Sequence, residues 1–232
     1  MRFQRTGAYR FACQFFTLIL TMLHIFKALG SNSALESTLL KAGDVLLVPL
    51  NCYVCNAIEK ETGVPYSHSV VVATTTHNHN DAFVYEAWGE VKRTPLTEIF
   101  ERAQKGQSLF HLRPVEFHSD PRSDSELSLI FREKFERLPF DDLFLWNNFD
   151  ESGNEKLYCS EFVLKFINSF LKDPEPPTPM SFVTLQDFWK KYYLQFERDV
   201  PEGEPGVSPA TLYQSSRFEK LGLLVNSTTP RK

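Results

Sequence analysis

The sequence predicts an α+β domain in which an antiparallel sheet packs against helices, and three observations carry that expectation. Residues 67–74 (SHSVVVAT) and 81–87 (DAFVYEA) are rich in β-branched and aromatic side chains. They flank the turn-prone His77-Asn78-His79-Asn80 and read as a hairpin. Residues 123–138 and 159–171 then repeat apolar side chains at helical spacing. The 232 residues are 42% hydrophobic and include 21 Phe, which is enough to fill a core.

The remaining elements follow in order. Residues 44–50 (DVLLVPL) are short, branched and preceded by a glycine, as in a buried strand. Residues 55–62 (CNAIEKET) make one or two helical turns that Gly63 closes. After the hairpin come a short strand at 90–93, a short helix at 96–103 and a strand at 108–114 (SLFHLRP). Leu127, Ile130, Phe131 and Phe135 share one helical face. So do Phe162, Val163, Phe166, Ile167 and Phe170. From Pro174 the chain is Pro-rich, with one helix at 185–193 and no internal repeat. The order of helix, strand set and helices puts the sheet on one side of the domain.

The first thirty residues read separately. Arg2, Arg5 and Arg10 precede a mostly apolar stretch at 11–26, and Ala28-Leu29-Gly30 places small residues before a cut at Ser31. That is the three-part pattern of a secretory signal peptide. Sixteen residues fall short of the roughly 20 that cross a bilayer core. The expected organisation is therefore a signal peptide at 1–30 and a single domain at 31–232, periplasmic or secreted. The alternative is an uncleaved N-terminal anchor, which would hold the domain near a membrane through residues 11–26.

Residues 1–30 contain four basic residues (Arg2, Arg5, Arg10, Lys27) and no acid. The net charge of −4 for the whole chain becomes −8 for residues 31–232, with 21 basic side chains against 29 acidic ones. Such a surface argues against nucleic acid, which needs dense positive charge. Three of the four cysteines remain after residue 30, so one is left over if Cys52 and Cys55 pair locally.

That cysteine is Cys159, in Tyr158-Cys159-Ser160-Glu161-Phe162. Helical periodicity begins at Phe162, so Cys159 falls at a helix N-terminus, where unpaired N–H groups and the helix dipole favour a thiolate. Taken alone, such a cysteine is more often a small buried hydrophobe. His68 opens an otherwise apolar strand, at the edge of the sheet, and offers a base of suitable pKa. Glu86 stands out because a carboxylate among apolar strand residues is costly to bury unless paired. Alternation puts Glu86 with Val84, and Phe83, Tyr85 and Ala87 on the other face. A hairpin would bring Glu86 near His68, giving nucleophile, base and orienter. His77 and His79 have the spacing of a metal pair on a strand, but their Asn-rich surroundings read as a solvated turn. His111 and His118 show no partner pattern.

These residues, in this order, resemble the YiiX-like permuted papain-fold amidases, relatives of the NlpC-type peptidoglycan hydrolases. The resemblance covers most of the mature chain. It runs through Gly43-Asp44, Cys52, Cys55, Ala57-Ile58-Glu59-Lys60, Ser67-His68, Tyr85-Glu86-Ala87, Phe140-Asp141-Asp142 and Tyr158-Cys159-Ser160-Glu161 to Pro201-Glu202-Gly203-Glu204-Pro205-Gly206. It implies a circularly permuted papain-like (NlpC-type) fold, in which the base precedes the nucleophile along the chain. It also implies that Cys159 attacks a carbonyl, His68 acts as base then acid, and Glu86 orients His68. The Cys159 backbone N–H would be one oxyanion donor, and no metal or other cofactor is called for. Two positions depart from the family pattern: Val70 stands where Gly is usual and could narrow the cleft, and Phe140 replaces a Tyr whose hydroxyl would touch substrate or oxyanion.

The leading expectation is an exported cysteine hydrolase, an amidase or peptidase, cleaving an amide in cell-envelope material such as a small peptide or peptidoglycan fragment through a thioester acyl-enzyme. Alternatives are an acyl hydrolase or acyltransferase using the same triad on an acylated lipid, a non-catalytic binding module, and a zinc protein built on His77 and His79.

Overall fold

The computed structural model describes residues 39–225; the signal segment expected at 1–30 lies outside the described residues. Six strands form the main sheet: β1 (Val45–Val48), β2 (His68–Val72), β3 (Phe83–Trp88), β4 (Glu90–Pro95), β5 (Leu109–Pro114) and β10 (Phe218–Leu224). Their order across the sheet is β10-β5-β1-β2-β3-β4, and every neighbouring pair is antiparallel. Helices α1 (Cys55–Thr62), α2 (Leu96–Arg102), α3 (Glu116–Ser119), α4 (Asp124–Lys134), α5 (Cys159–Asn168), α6 (Gln186–Leu194) and α7 (Pro209–Gln214) surround it. Two small hairpins, β6 (Asn148–Phe149) with β7 (Glu155–Lys156) and β8 (Thr178–Pro179) with β9 (Pro205–Gly206), complete the described elements.

The sheet is covered on both faces, not on one side. Val45, Leu47, Val71, Tyr85 and Leu112 pack against Phe162, Val163, Phe166 and Ile167 of α5. Leu46, Val48, Val70, Val72 and Val84 point the other way, toward Leu96 and Ile99 of α2 with Leu40 and Leu50. Unbroken apolar runs such as VLLV and SVVV carry this signature, because a strand with one wet face alternates apolar and polar residues.

Local chemistry sets the ends of the elements. Gly63 takes φ +71° and its N–H returns to the Glu59 carbonyl, which stops α1 as expected. Ser123 and Glu126 form a capping box that starts α4. That helix ends at Lys134 rather than 138, because Arg137 adopts φ +66° and turns the chain so that Leu138 and Arg137 bond Val91. The tail holds more than the one helix expected. The β8–β9 hairpin and α7 precede β10, which joins the sheet edge beside β5 across a register shift at Lys220 and Gly222.

A charged cluster lies inside the sheet. Asp44 accepts hydrogen bonds from Arg113 Nε and Nη2 and pairs with His111 Nε2, all at 2.7 Å. His111 therefore has a buried partner that the sequence did not reveal, and His118 pairs at the surface with Glu219. Burial works against the Asp44 carboxylate, but Arg113 and His111 hold its pKa below the usual value. Asp44→Ala removes the carboxylate that Arg113 and His111 share and is expected to destabilise the fold by about 3–5 kcal/mol, read as a fall in urea midpoint. A change under about 1 kcal/mol would show that water replaces the carboxylate.

Candidate active site

Cys159 is the first residue of α5, after Tyr158 in an extended conformation at the N-cap. No side chain caps this helix, so its first-turn N–H groups stay available beside the sulfur. The helix crosses β2 and β3, and Ser69 donates to Ser160 at 3.1 Å, which ties the helix start to β2. Cys159 is the free cysteine of the described residues, since Cys52 and Cys55 form a disulfide at the entry of α1.

The β2–β3 register pairs Val71 with Tyr85 and Val72 with Val84. Continued toward the strand end, it sets His68 and Glu86 on one face as diagonal neighbours, within reach of each other's side chains. His68 Nε2 lies 2.8 Å from Glu86 Oε2, and both side chains are buried. His68 opens an interior strand, so its ring lies at the end of the sheet rather than at its edge. There it also acts on the Cys159 sulfur, each favouring the charged form of the other. With Nε2 engaged by Glu86, Nδ1 is the nitrogen left for sulfur.

Arg102, the last residue of α2, donates from Nη2 to Glu86 Oε1 at 2.6 Å. Its guanidinium lies 4.9 Å from the Trp88 ring centre, and that ring stands edge-on to His68. Arg102 was invisible in the sequence because an Arg in the last turn of a short exposed helix is ordinary. Pro95 and the apolar Leu96 and Ile99 orient the helix so that this end reaches the carboxylate.

The protonation states follow. Burial disfavours charge on all three groups, and their mutual bonds outweigh it. Against burial, Cys159 and Glu86 raise the His68 pKa to about 9. Against burial, His68 and Arg102 lower Glu86 to about 2. Cys159 falls below its usual value despite burial, through His68, the Ser160 hydroxyl and the Ser69 backbone N–H. Each group thus favours the charged form of its neighbour against the cost of burial.

Two adjoining cavities, of about 330 and 390 Å³, share Cys159, Ser67, Ile58 and Phe144 in their walls. The first extends over Tyr158, Met180, Phe182, Trp189 and Val207. The second holds His68, Trp88, Phe140, Asp142 and Tyr192. Phe140 thus lines the second cavity, as a ring with no polar atom. Val70 does not narrow the cleft: it is sealed in the core under α2 and lines neither cavity.

Phe144, between the cavities, adopts φ +53°, a strained conformation for an aromatic residue. The buried Asp141 holds its loop by accepting from the N–H groups of Leu143 and Leu145 and from Asn148 Nδ2. On α1, Glu59 accepts from Ser67 and Gln104, fixing the residue before His68, and Glu61 accepts from Thr184, Leu185 and Trp189. Gly206 lets Met180 approach: a Cβ there would meet the thioether.

Glu161 lies in the first turn of α5 and pairs with Lys165 at 2.8 Å, yet Oε2 has no hydrogen-bond partner among the described residues. Its burial outweighs Lys165 and raises its pKa to about 7.

Two measurements test these electrostatics. Alkylation of Cys159 by iodoacetamide should remain fast well below pH 8.5, and in His68→Ala its inflection should rise into the free-thiol range near pH 8.5. An unchanged profile in the variant would dissolve the ion pair. For Glu161, a folded pKa of about 7 against 4.5 means that stability is full below pH 4.5 and lost as pH rises through about 7. Glu161→Gln should therefore flatten the fall in Tm between pH 5 and pH 8; parallel curves for both proteins would contradict the assignment.

No protein-family model matches the chain. It is 23% identical over 188 residues to uncharacterized protein YiiX of Escherichia coli K12, across 77% of this chain and 84% of that protein. Its fold matches the crystal structure of metalloprotein yiiX from Escherichia coli O157:H7 with a TM-score of 0.61 at 22% identity, covering 78% of this chain and 95% of the other. Among the described residues here, no three His, Cys, Asp or Glu side chains gather as metal ligands. His77 is exposed, and His79 opens a 3-10 turn rather than facing His77 along a strand. The chain is thus similar to YiiX in sequence over most of both lengths, and it shares an antiparallel α+β fold with the yiiX structure.

Proposed function

We propose that the protein is an exported cysteine hydrolase of circularly permuted papain-like architecture, cleaving an amide bond in cell-envelope material through a thioester acyl-enzyme. The carrying observation is the series Arg102, Glu86 and His68, linked by hydrogen bonds, with Cys159 acting on His68 at the wall shared by two cavities. The chain order His68, Glu86, Cys159 and the helix-terminal sulfur support the permuted reading.

In this reading the Cys159 thiolate adds to the carbonyl carbon, and the oxygen that gains the negative charge sits near the Cys159 N–H at the α5 terminus. The intermediate expels the amine as its nitrogen takes the proton from His68. Water then attacks the thioester, His68 takes a proton from it, and the acid leaves as the thiolate reforms with His68 protonated. Glu86 keeps the ring oriented and stabilises the imidazolium, and Arg102 holds Glu86 ionised. The apolar part of the first cavity wall, with Met180, Phe182, Trp189 and Val207, favours a second reading, hydrolysis or transfer of an acyl group from a lipid ester by the same side chains.

Acid-quenched mass spectrometry after incubation with peptidoglycan stem fragments and with short-acyl esters tests both. An acyl adduct on Cys159, with turnover lowered by about 10²–10⁴-fold in His68→Ala, is expected. Amide substrates outpacing esters supports the amidase, and the reverse supports the acyl hydrolase. Cys159→Ala turning over substrate as fast as the parent protein would overturn both.

A further inference from the structure

The two cavities differ in a way that bears on substrate class. The leaving group must sit within hydrogen-bond reach of the acid that protonates it. Only the second cavity has His68 in its wall, so the leaving group belongs there and the acyl part in the first. This assignment rests on the hydrolase reading above.

The second cavity carries one charged side chain apart from the catalytic groups, Asp142, and neither Lys nor Arg lines it. Asp142 is exposed, and its carboxylate accepts no hydrogen bond from the described residues; its backbone carbonyl, by contrast, is used by Tyr192. The cation acting on that carboxylate is Lys156, which is not part of the cavity wall. The same cavity wall also holds Trp88, Phe140, Phe144 and Tyr192. A cavity lined by aromatic rings and a carboxylate attracts a cation and gives nothing to an anion. The charge of −8 on residues 31–232 adds a field of the same sign.

We propose that the second cavity selects a leaving group with a cationic head, such as an amine bearing a distal ammonium, and that Asp142 is the specificity-determining residue. In the bond-breaking step the departing nitrogen takes its proton from His68 while the distal cation stays against Asp142.

Binding and turnover test this separately. In calorimetry, 1,4-diaminobutane should bind one-to-one and 1,4-butanediol should not. Asp142→Asn, at an exposed position that leaves the core intact, should weaken the diamine by about tenfold, the equivalent of about 1.4 kcal/mol. Glu133→Gln, an exposed charge change on α4, should not weaken it. Absence of diamine binding, or equal binding by Asp142→Asn, overturns the proposal.

In turnover, amides of one acyl group with 1,4-diaminobutane and with n-butylamine should differ by about tenfold in kcat/KM, and this ratio should fall toward one in Asp142→Asn. Equal rates with both amides overturn the cation preference and leave the hydrolase standing. Equal rates for Cys159→Ala and the parent protein overturn the hydrolase, and calorimetry still decides the cation site.

Discussion

Four ionisable side chains, Arg102, Glu86, His68 and Cys159, lie in sequence through the interior, and each is tolerable there only because of the next. An unpaired buried carboxylate would take up a proton and an unpaired buried imidazole would lose one. Linked, Glu86 ionises more readily, His68 holds its protons more tightly, and the sulfur loses its proton more readily than a free thiol. Removing any one leaves an uncompensated charge on its neighbour. The series therefore constrains the fold as firmly as the fold positions the series.

Three secondary-structure choices deliver it. The β2–β3 register brings the carboxylate to the ring, the start of α5 brings the sulfur, and the end of α2 brings the guanidinium. These elements belong to opposite covers of the sheet, α5 on one face and α2 on the other, so the site closes only when both cores have formed. The remaining machinery holds loops. Glu59 and Glu61, two residues apart on α1, reach respectively to the strand that carries His68 and to the segment that begins α6. Asp141 keeps the Phe144 backbone in a conformation that the side chain alone would not choose.

Much of this was legible in the sequence because it rests on local rules. The Glu86 alternation, the Gly63 stop and the sulfur at a helix start need no knowledge of tertiary contacts, and α1 spans the residues 55–62 expected of it. Long-range pairings between ordinary residues were not legible. Arg102 reaches Glu86, and His111 with Arg113 reaches Asp44, through contacts that leave no spacing pattern. β10 was missed because FEKLGLL has neither alternation nor a continuous apolar run, and its Gly222, at φ +109°, allows a register shift in place of straight pairing. The sheet was expected to have one covered side although its strands lacked polar alternation; the short α2, read only as a connector, is the second cover.

The near-burial of Cys159, 7% exposed, is compatible with attack on a substrate because its sulfur borders two cavities rather than the open surface. Cys159 and Phe144 stand in the wall of both. In the proposed hydrolase, a scissile bond presented there has its two halves in different surroundings, only one of which bears His68 and Asp142. The protonating nitrogen lies on only one side. In that reading the site distinguishes the two ends of a substrate before any bond breaks. Val70 and Phe140, the two departures from the family pattern, do not disturb this arrangement, since one is sealed behind the sheet and the other is one ring in an aromatic wall.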